Sequence, residues 1–134
     1  MTVLYVDASA LLKRVVVEAE SSAVRALLRE RDLAGDLLTA SSLAWLEVWR
    51  SLRRAAVADV GGFVAAALSG VAEYPLDEAL LRRARIVGPK ELRSLDAIHL
   101  ASAIAVGADA ILTYGLRLAD AAAAVGLASL APTG

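Results

Sequence analysis

The sequence predicts an α/β fold, a three-layer α/β/α sandwich with a central parallel sheet, and three features carry that expectation. Short apolar runs recur between longer segments of helical periodicity. Gly, Pro or a polar cap separates them. The first run, Val3 to Val6, is β-branched and aromatic with no polar face, as a strand covered on both sides requires. Regular alternation of strand and helix favours parallel pairing, because each crossover helix returns the chain to the same end of the sheet. One such pattern runs through all 134 residues, so residues 1–134 are expected to form a single domain.

The elements follow in order. Val3 to Val6 reads as the first strand and Ser9 to Val16 as the helix after it. Glu18 to Arg31 carries Ala23, Leu27 and Leu28 at helical spacing with charges opposite, and Gly35 supplies a stop. Leu37 to Thr39 is the second strand. Ser41 or Ser42 can cap a long helix to about Val57, the hydroxyl accepting a bond from a first-turn amide. Gly61-Gly62 interrupts it before a helix over Phe63 to Leu68. Val71 to Tyr74 is the third strand, and Pro75 opens the turn into a helix from Asp77 to about Val87, ended by Gly88-Pro89. Leu95 to Val106 is apolar on almost every side, which predicts a helix packed deep against the sheet with Ser94 as its cap. Ala110 to Thr113 is a strand, Leu116 to Ala124 a helix and Leu127 to Leu130 the last strand.

Composition narrows the function. Hydrophobic residues make up 58% of the chain and mean hydropathy is +0.60, so some apolar surface is expected to be covered by a second copy or a dedicated partner. Stretches free of charge such as Val60 to Ala72 and Ala97 to Ala108 fall well short of the roughly 20 residues that span a bilayer. The N-terminal MTVLYVDAS has no basic region, long apolar region or cleavage site, which makes the expected location cytoplasmic. With no cysteine, disulfides, thiolate zinc sites and a cysteine nucleophile are excluded. Net charge is −1, yet Arg50, Arg53 and Arg54 cluster, and Arg82, Arg83, Arg85, Lys90 and Arg93 lead up to Asp96. Such local patches suit phosphate contacts despite the balanced total.

Asp7, Glu47 and Asp96 stand in three separate apolar segments, and a carboxylate is costly to bury unless paired, hydrogen-bonded or bound to metal. Each has a structural role open to it as well. Asp7 can cap the helix after the first strand, Glu47 can pair with Arg50 on a polar stripe, and Asp96 suits the dipole of a first helical turn. Together, however, a strand end and two helices can converge on one crevice of a doubly wound sheet. Hard oxygen ligands without His or Cys then suit Mg²⁺ or Mn²⁺, and phosphoryl transfer. His99 reads as a packed helix residue with one bonded nitrogen rather than a proton shuttle. Trp45 and Trp49 read as core or interface rather than a base-stacking platform, and the Ser9 hydroxyl can orient Asp7 or bond backbone.

Three segments carry a family likeness: Asp7-Ala8-Ser9-Ala10, the run Leu92-Arg93-Ser94-Leu95-Asp96-Ala97-Ile98-His99-Leu100-Ala101-Ser102-Ala103, and Thr113-Tyr114-Gly115-Leu116-Arg117-Leu118-Ala119. In them the chain resembles a PIN-domain ribonuclease, most closely the VapC toxins of type II toxin-antitoxin systems. The run around Asp96 is the most specific part and Glu47 a weaker match. The resemblance implies a PIN-like parallel sheet between helices, RNA cleavage with Mg²⁺ or Mn²⁺, and an antitoxin that blocks the site. It makes Asp7, Glu47 and Asp96 the catalytic metal ligands, with a fourth acid after the Thr113-Tyr114 pair. Gly115 stands there instead. Asp109, at about 3.3 Å per residue along the following strand, falls roughly 13 Å away at the wrong end of the sheet, and Asp120 lies more than a helical turn past Gly115.

The expectation is therefore a metal-dependent endoribonuclease, weakened or inactivated by the lost acid. Arg93 and Arg117 are candidate phosphate clamps, and Ser9 and Thr113 further candidates for substrate contact. The alternative is a disabled PIN domain that still binds antitoxin or RNA, and under either reading a homodimer or a toxin-antitoxin hetero-oligomer is expected. The helix bearing Trp45 and Trp49, with the Phe63 segment, is the surface expected to meet the antitoxin. A different phosphate-handling domain is disfavoured, because no GxGxxG, GxxxxGK[ST] or DxD pattern occurs.

Overall fold

The computed structural model describes every residue from Met1 to Gly134. Five parallel strands, β1 (Val3–Val6), β2 (Leu37–Ser41), β3 (Ala72–Tyr74), β4 (Ala110–Leu112) and β5 (Ala128–Leu130), lie in the order β3-β2-β1-β4-β5. Leu4 aligns with both Leu38 and Ala110, which centres β1 in the sheet. The chain builds outward from β1 through β2 to β3, then returns to the other side for β4 and β5. The reversal leaves a crevice between β1 and β4 at the carboxyl ends of the strands.

Residue parity sorts the core into two layers. Leu4 and Val6 of β1, Leu38 and Ala40 of β2, and Ala110 and Leu112 of β4 face one side. There they pack against α1 (Ala8–Leu12), α2 (Ser21–Leu33), α3 (Ser42–Arg54) and α4 (Val60–Ala67) through Leu11, Leu28, Val48, Leu52 and Val64. Tyr5 and Ile111 face the other side, where Leu100 and Ala103 of α6 (Ser94–Ala105) and Leu118 and Ala122 of α7 (Leu116–Ala124) cover them. The remaining helix, α5 (Glu78–Ala84), packs on α6. The three-layer architecture is the one expected.

Element ends differ from expectation in physically explicable ways. The first helix stops at Leu12, and the chain turns through Lys13 to Val16 before α2 begins at Ser21. Lys13 fixes that turn by reaching both Glu18 and Glu20, at 3.2 and 3.1 Å. Ser41, not Ser42, caps α3 by accepting from the Leu43 amide at 3.1 Å. Gly61 and Gly62 do not separate two helices; they lie in the first turn of α4, whose cap is Asp59 accepting from Gly62 N. Ser94 is the first residue of α6 rather than its cap, which falls on Arg93 with no side-chain bond.

No helix is long and apolar enough to cross a membrane.

Candidate active site

The carboxyl ends of β1 and β4 build the centre of the site. β1 ends at Val6, so Asp7 follows where the strand stops and α1 starts, and it is 7% exposed. Its Oδ1 accepts from the Ala10 amide at 3.2 Å, which is the capping bond the sequence allowed. Oδ1 also accepts the Ser9 hydroxyl at 2.6 Å, and Oδ2 accepts the Thr113 hydroxyl at 2.5 Å across the crevice from the end of β4. Each hydroxyl is itself oriented. Tyr114 N donates to Ser9 Oγ and Gly115 N donates to Thr113 Oγ1, both at 3.0 Å. Two backbone amides thus act on one carboxylate through two polarised hydroxyls, an arrangement in which each bond strengthens the next.

All of these donors are neutral, so burial dominates and pushes the Asp7 carboxyl above its ordinary pKa, with the Ser9 and Thr113 hydroxyls opposing. A buried carboxylate held in this way at a strand-end crevice makes Asp7 the centre of the candidate site.

Glu47 takes a partner the sequence did not reveal. Instead of pairing with Arg50 on its own helix, Oε1 lies 2.6 Å from His99 Nε2 on α6. The bond joins helices from the two opposite layers, α3 and α6, past the end of the sheet. His99 is buried and uses both nitrogens, Nδ1 meeting the Tyr5 hydroxyl at 2.7 Å, so the expectation of one bonded nitrogen falls short. Tyr5 had been no more than strand filler in the sequence. Its signal was parity: on β1 it must face away from Leu4 and Val6, and a buried phenol needs a polar partner.

Asp96 occupies the first turn of α6, half-buried, with Arg117 Nε at 3.8 Å. Arg117 is largely exposed and the contact long, so it contributes little to stability. Arg93 is exposed immediately ahead of α6. Gly115 begins α7 as its cap residue, with ordinary φ of −79° and no side-chain bond. Asp109 accepts from Val3 N at 2.7 Å at the amino end of β1, opposite to Asp7, and Asp120 is exposed on α7. Neither reaches the strand end where Asp7 stands.

The three acids therefore occupy three local environments: Asp7 with hydroxyls, Glu47 with His99, and Asp96 with Arg117. As they stand, no three acidic or imidazole side chains are gathered closely enough to hold an ion between them. The donor chemistry still fits Mg²⁺ or Mn²⁺. It is all oxygen, it includes a buried carboxylate with no ion-pair partner, and Mg²⁺ keeps several waters while taking only one or two protein carboxylates.

A parallel sheet with an acid at the β1 switch point and further acids on α3 and α6 places the chain among doubly wound α/β domains, and comparison specifies which. The PIN domain family model matches residues 4–124, so the chain belongs to the PIN-domain family. Within that family its relatives are VapC proteins. Ribonuclease VapC46 of Mycobacterium tuberculosis is 39% identical over 136 residues, covering 99% of this chain and 100% of the relative. Ribonuclease VapC47 of the same species is 33% identical, covering 96% of each. Among solved structures, M. tuberculosis VapC20, described as a sarcin-ricin loop cleaving toxin, superposes with a TM-score of 0.74 at 18% identity, covering 96% of this chain and 99% of that one. VapBC2 of Rickettsia felis, solved bound to a promoter DNA fragment, gives 0.71 at 11% identity, covering 96% and 98%. These two likenesses establish the shared fold.

Proposed function

We propose that this protein is a VapC-type endoribonuclease toxin that hydrolyses RNA phosphodiester bonds with a divalent metal, Mg²⁺ or Mn²⁺, held by Asp7 and Asp96 and aided by Glu47. The observation that carries the reading is the buried Asp7 carboxylate at the β1–β4 crevice, bonded only by neutral donors and so carrying charge that a cation would offset. Its full-length relatives named as ribonucleases support it. When bound, the metal supplies Lewis-acid polarisation of a phosphate oxygen and a more acidic water. The chain supplies the rest. Asp7, fixed by Ser9 and Thr113, is preorganised for a cation, and Glu47 would hold either the same ion or the attacking water at that edge. Arg117 exchanges Asp96 for a phosphate oxygen, and Arg93 adds a second positive charge.

The direct test is cleavage of a mixed structured RNA by the purified chain, with either metal and with chelator. Chelator-sensitive cleavage agrees with the proposal; cleavage indifferent to chelator contradicts it. Arg117→Ala should leave the unfolding midpoint nearly unchanged, since the exposed pair contributes well under about 1 kcal/mol. It should weaken RNA binding to all sequences alike, reducing the slope of log K against log salt by about 0.7 for one lost single-strand phosphate contact. A variant that weakens only some sequences would instead make Arg117 a base reader.

The partner we propose is a cognate antitoxin meeting α3 and α4. Leu46, Trp49 and Phe63 are 57%, 46% and 40% exposed there. Trp49 lies close to Gly61 at the start of α4, which makes the two helices one apolar surface. A buried Trp anchor is typically worth about 2 kcal/mol or more, so Trp49→Ser should weaken antitoxin binding at least about 30-fold by calorimetry while metal binding stays as it was. If Trp49→Ser instead converts a dimer of the chain alone to monomer in light scattering, homodimerisation is the use of this surface. The competing function, a disabled PIN domain that binds without cutting, draws its support from Gly115 alone.

A further inference from the structure

We propose that His99 is a positioning residue for Glu47, held in one tautomer by Tyr5, so that a buried chain of hydrogen bonds fixes the Glu47 carboxylate at the site. The inference rests on the metal-dependent reading above and names a component that reading does not contain.

The direction of the chain is set from its far end: a carboxylate that only accepts requires the proton on Nε2, and the Nδ1 of a neutral imidazole is then left as an acceptor. Ser41 N, a backbone amide and therefore only a donor, reaches the Tyr5 oxygen at 3.1 Å. The Tyr5 proton goes on to His99 Nδ1, 2.7 Å away. Nδ1 as acceptor leaves Nε2 as the protonated nitrogen, and its N–H points to Glu47 Oε1 at 2.6 Å. Every donor points the same way, from Ser41 through Tyr5 and His99 to Glu47. An ionised carboxylate only accepts, so the order closes without a mismatched pair.

Glu47 needs such a device. It sits on a helix face that is otherwise solvated, its side chain is 27% exposed, and a Glu side chain left free samples many rotamers. His99 is 4% exposed in its side chain and anchored from the opposite layer, so it draws the carboxylate in from solvent and holds it at the strand ends. Ser41 serves twice. Its hydroxyl caps α3, the helix that carries Glu47, and its amide starts the chain that ends on Glu47. The position and the orientation of Glu47 are thus set from the same residue.

The test uses the fact that the chain has a single histidine. Nitrogen-15 spectra of the imidazole should show the Nε2–H tautomer in the parent and a mixture in Tyr5→Phe. Manganese titration of the parent, followed by electron paramagnetic resonance, provides a second readout. Affinity should fall about 10–100-fold in His99→Ala, the range seen when a partner of a ligating carboxylate is removed. His99→Gln, whose amide nitrogen can occupy the place of Nε2, should recover nearly the parent affinity, whereas His99→Asn, which reaches only the place of Nδ1, should not. Where cleavage is measurable, kcat should follow the same ranking with KM for RNA unchanged. A residue that merely fills space would rank these variants by thermal unfolding midpoint, not by donor placement. An Nδ1–H tautomer in the parent, or equal manganese affinity in all variants, would overturn the inference. A parent that binds no manganese overturns the metal reading and the inference with it, a result distinct from equal binding by all.

Discussion

Asp7→Asn should abolish cleavage and at the same time make the protein more stable. The carboxylate is buried among neutral donors, and removing its charge removes a desolvation cost that hydroxyls only partly offset. Asn keeps an oxygen to accept from Ala10 N, so the α1 cap survives, which an Ala substitution would not achieve. The sign of the pH dependence follows from the raised pKa. Between the unfolded carboxyl pKa and the higher folded value the folded state holds more protons, so the stability of the parent falls as pH rises through that window. Asp7→Asn should lose that dependence. Urea midpoints in chelator across acid to neutral pH would measure it, and a destabilised Asn variant would show that the carboxylate is structural. Cleavage should drop on the order of 10³-fold, because metal stabilisation is worth several kcal/mol at about 1.4 kcal/mol per decade. Added Mg²⁺ or Mn²⁺ at about a hundredfold excess over Kd should stabilise the parent by about 2.7 kcal/mol and the variant scarcely at all.

The second large effect is a gain. Gly115→Asp should raise metal-dependent cleavage at least about tenfold, the equivalent of about 1.4 kcal/mol of transition-state stabilisation from a restored ligand. Space for it exists. A Cβ at Gly115 would meet Thr113 Oγ1 at 3.4 Å and Leu118 Cβ at 4.0 Å, both ordinary contacts, and the backbone there suits any residue. Asp is also a better cap than Gly for α7, by a few tenths of a kcal/mol, which gives a small gain in stability independent of metal. The two contributions separate in a chelator series: the capping gain persists and the cleavage gain vanishes. Unchanged cleavage with the capping gain present would show that the missing acid is not what limits the site.

Much of this was legible in the sequence, for reasons that can be given residue by residue. Strand identity was legible because both faces of β1 and β4 are covered and so carry no charged residue. Asp7 and Asp96 were legible because an acid ending an apolar run, or opening an apolar helix, departs from its surroundings. The partner of Glu47 was not, because Arg50 is near in sequence while His99 is 52 positions away and on the other layer. Local spacing cannot weigh a contact that exists only after two helices dock around a sheet. The hydroxyl bonds of Asp7 were half visible: Ser9 lies two residues on, but Thr113 reaches it only through the pairing of β1 with β4. The early end of the first helix was hidden for the same kind of reason. Lys13 leaves the helix to meet Glu18 and Glu20 and to stack 4.6 Å from the Tyr114 ring centroid, a cluster set by tertiary packing.

The amides of Tyr114 and Gly115 reach Asp7 through hydroxyls, and neither bond passes through the side chain at position 115. A side chain at position 115 would meet Thr113 Oγ1 only at ordinary van der Waals distance, so both hydroxyl bonds to Asp7 are expected to persist while the backbone stays as it is. Under the proposed function, a change of side chain there is expected to reset nuclease strength while folding registers only the small capping gain, as a removable tooth leaves the rest of a key intact.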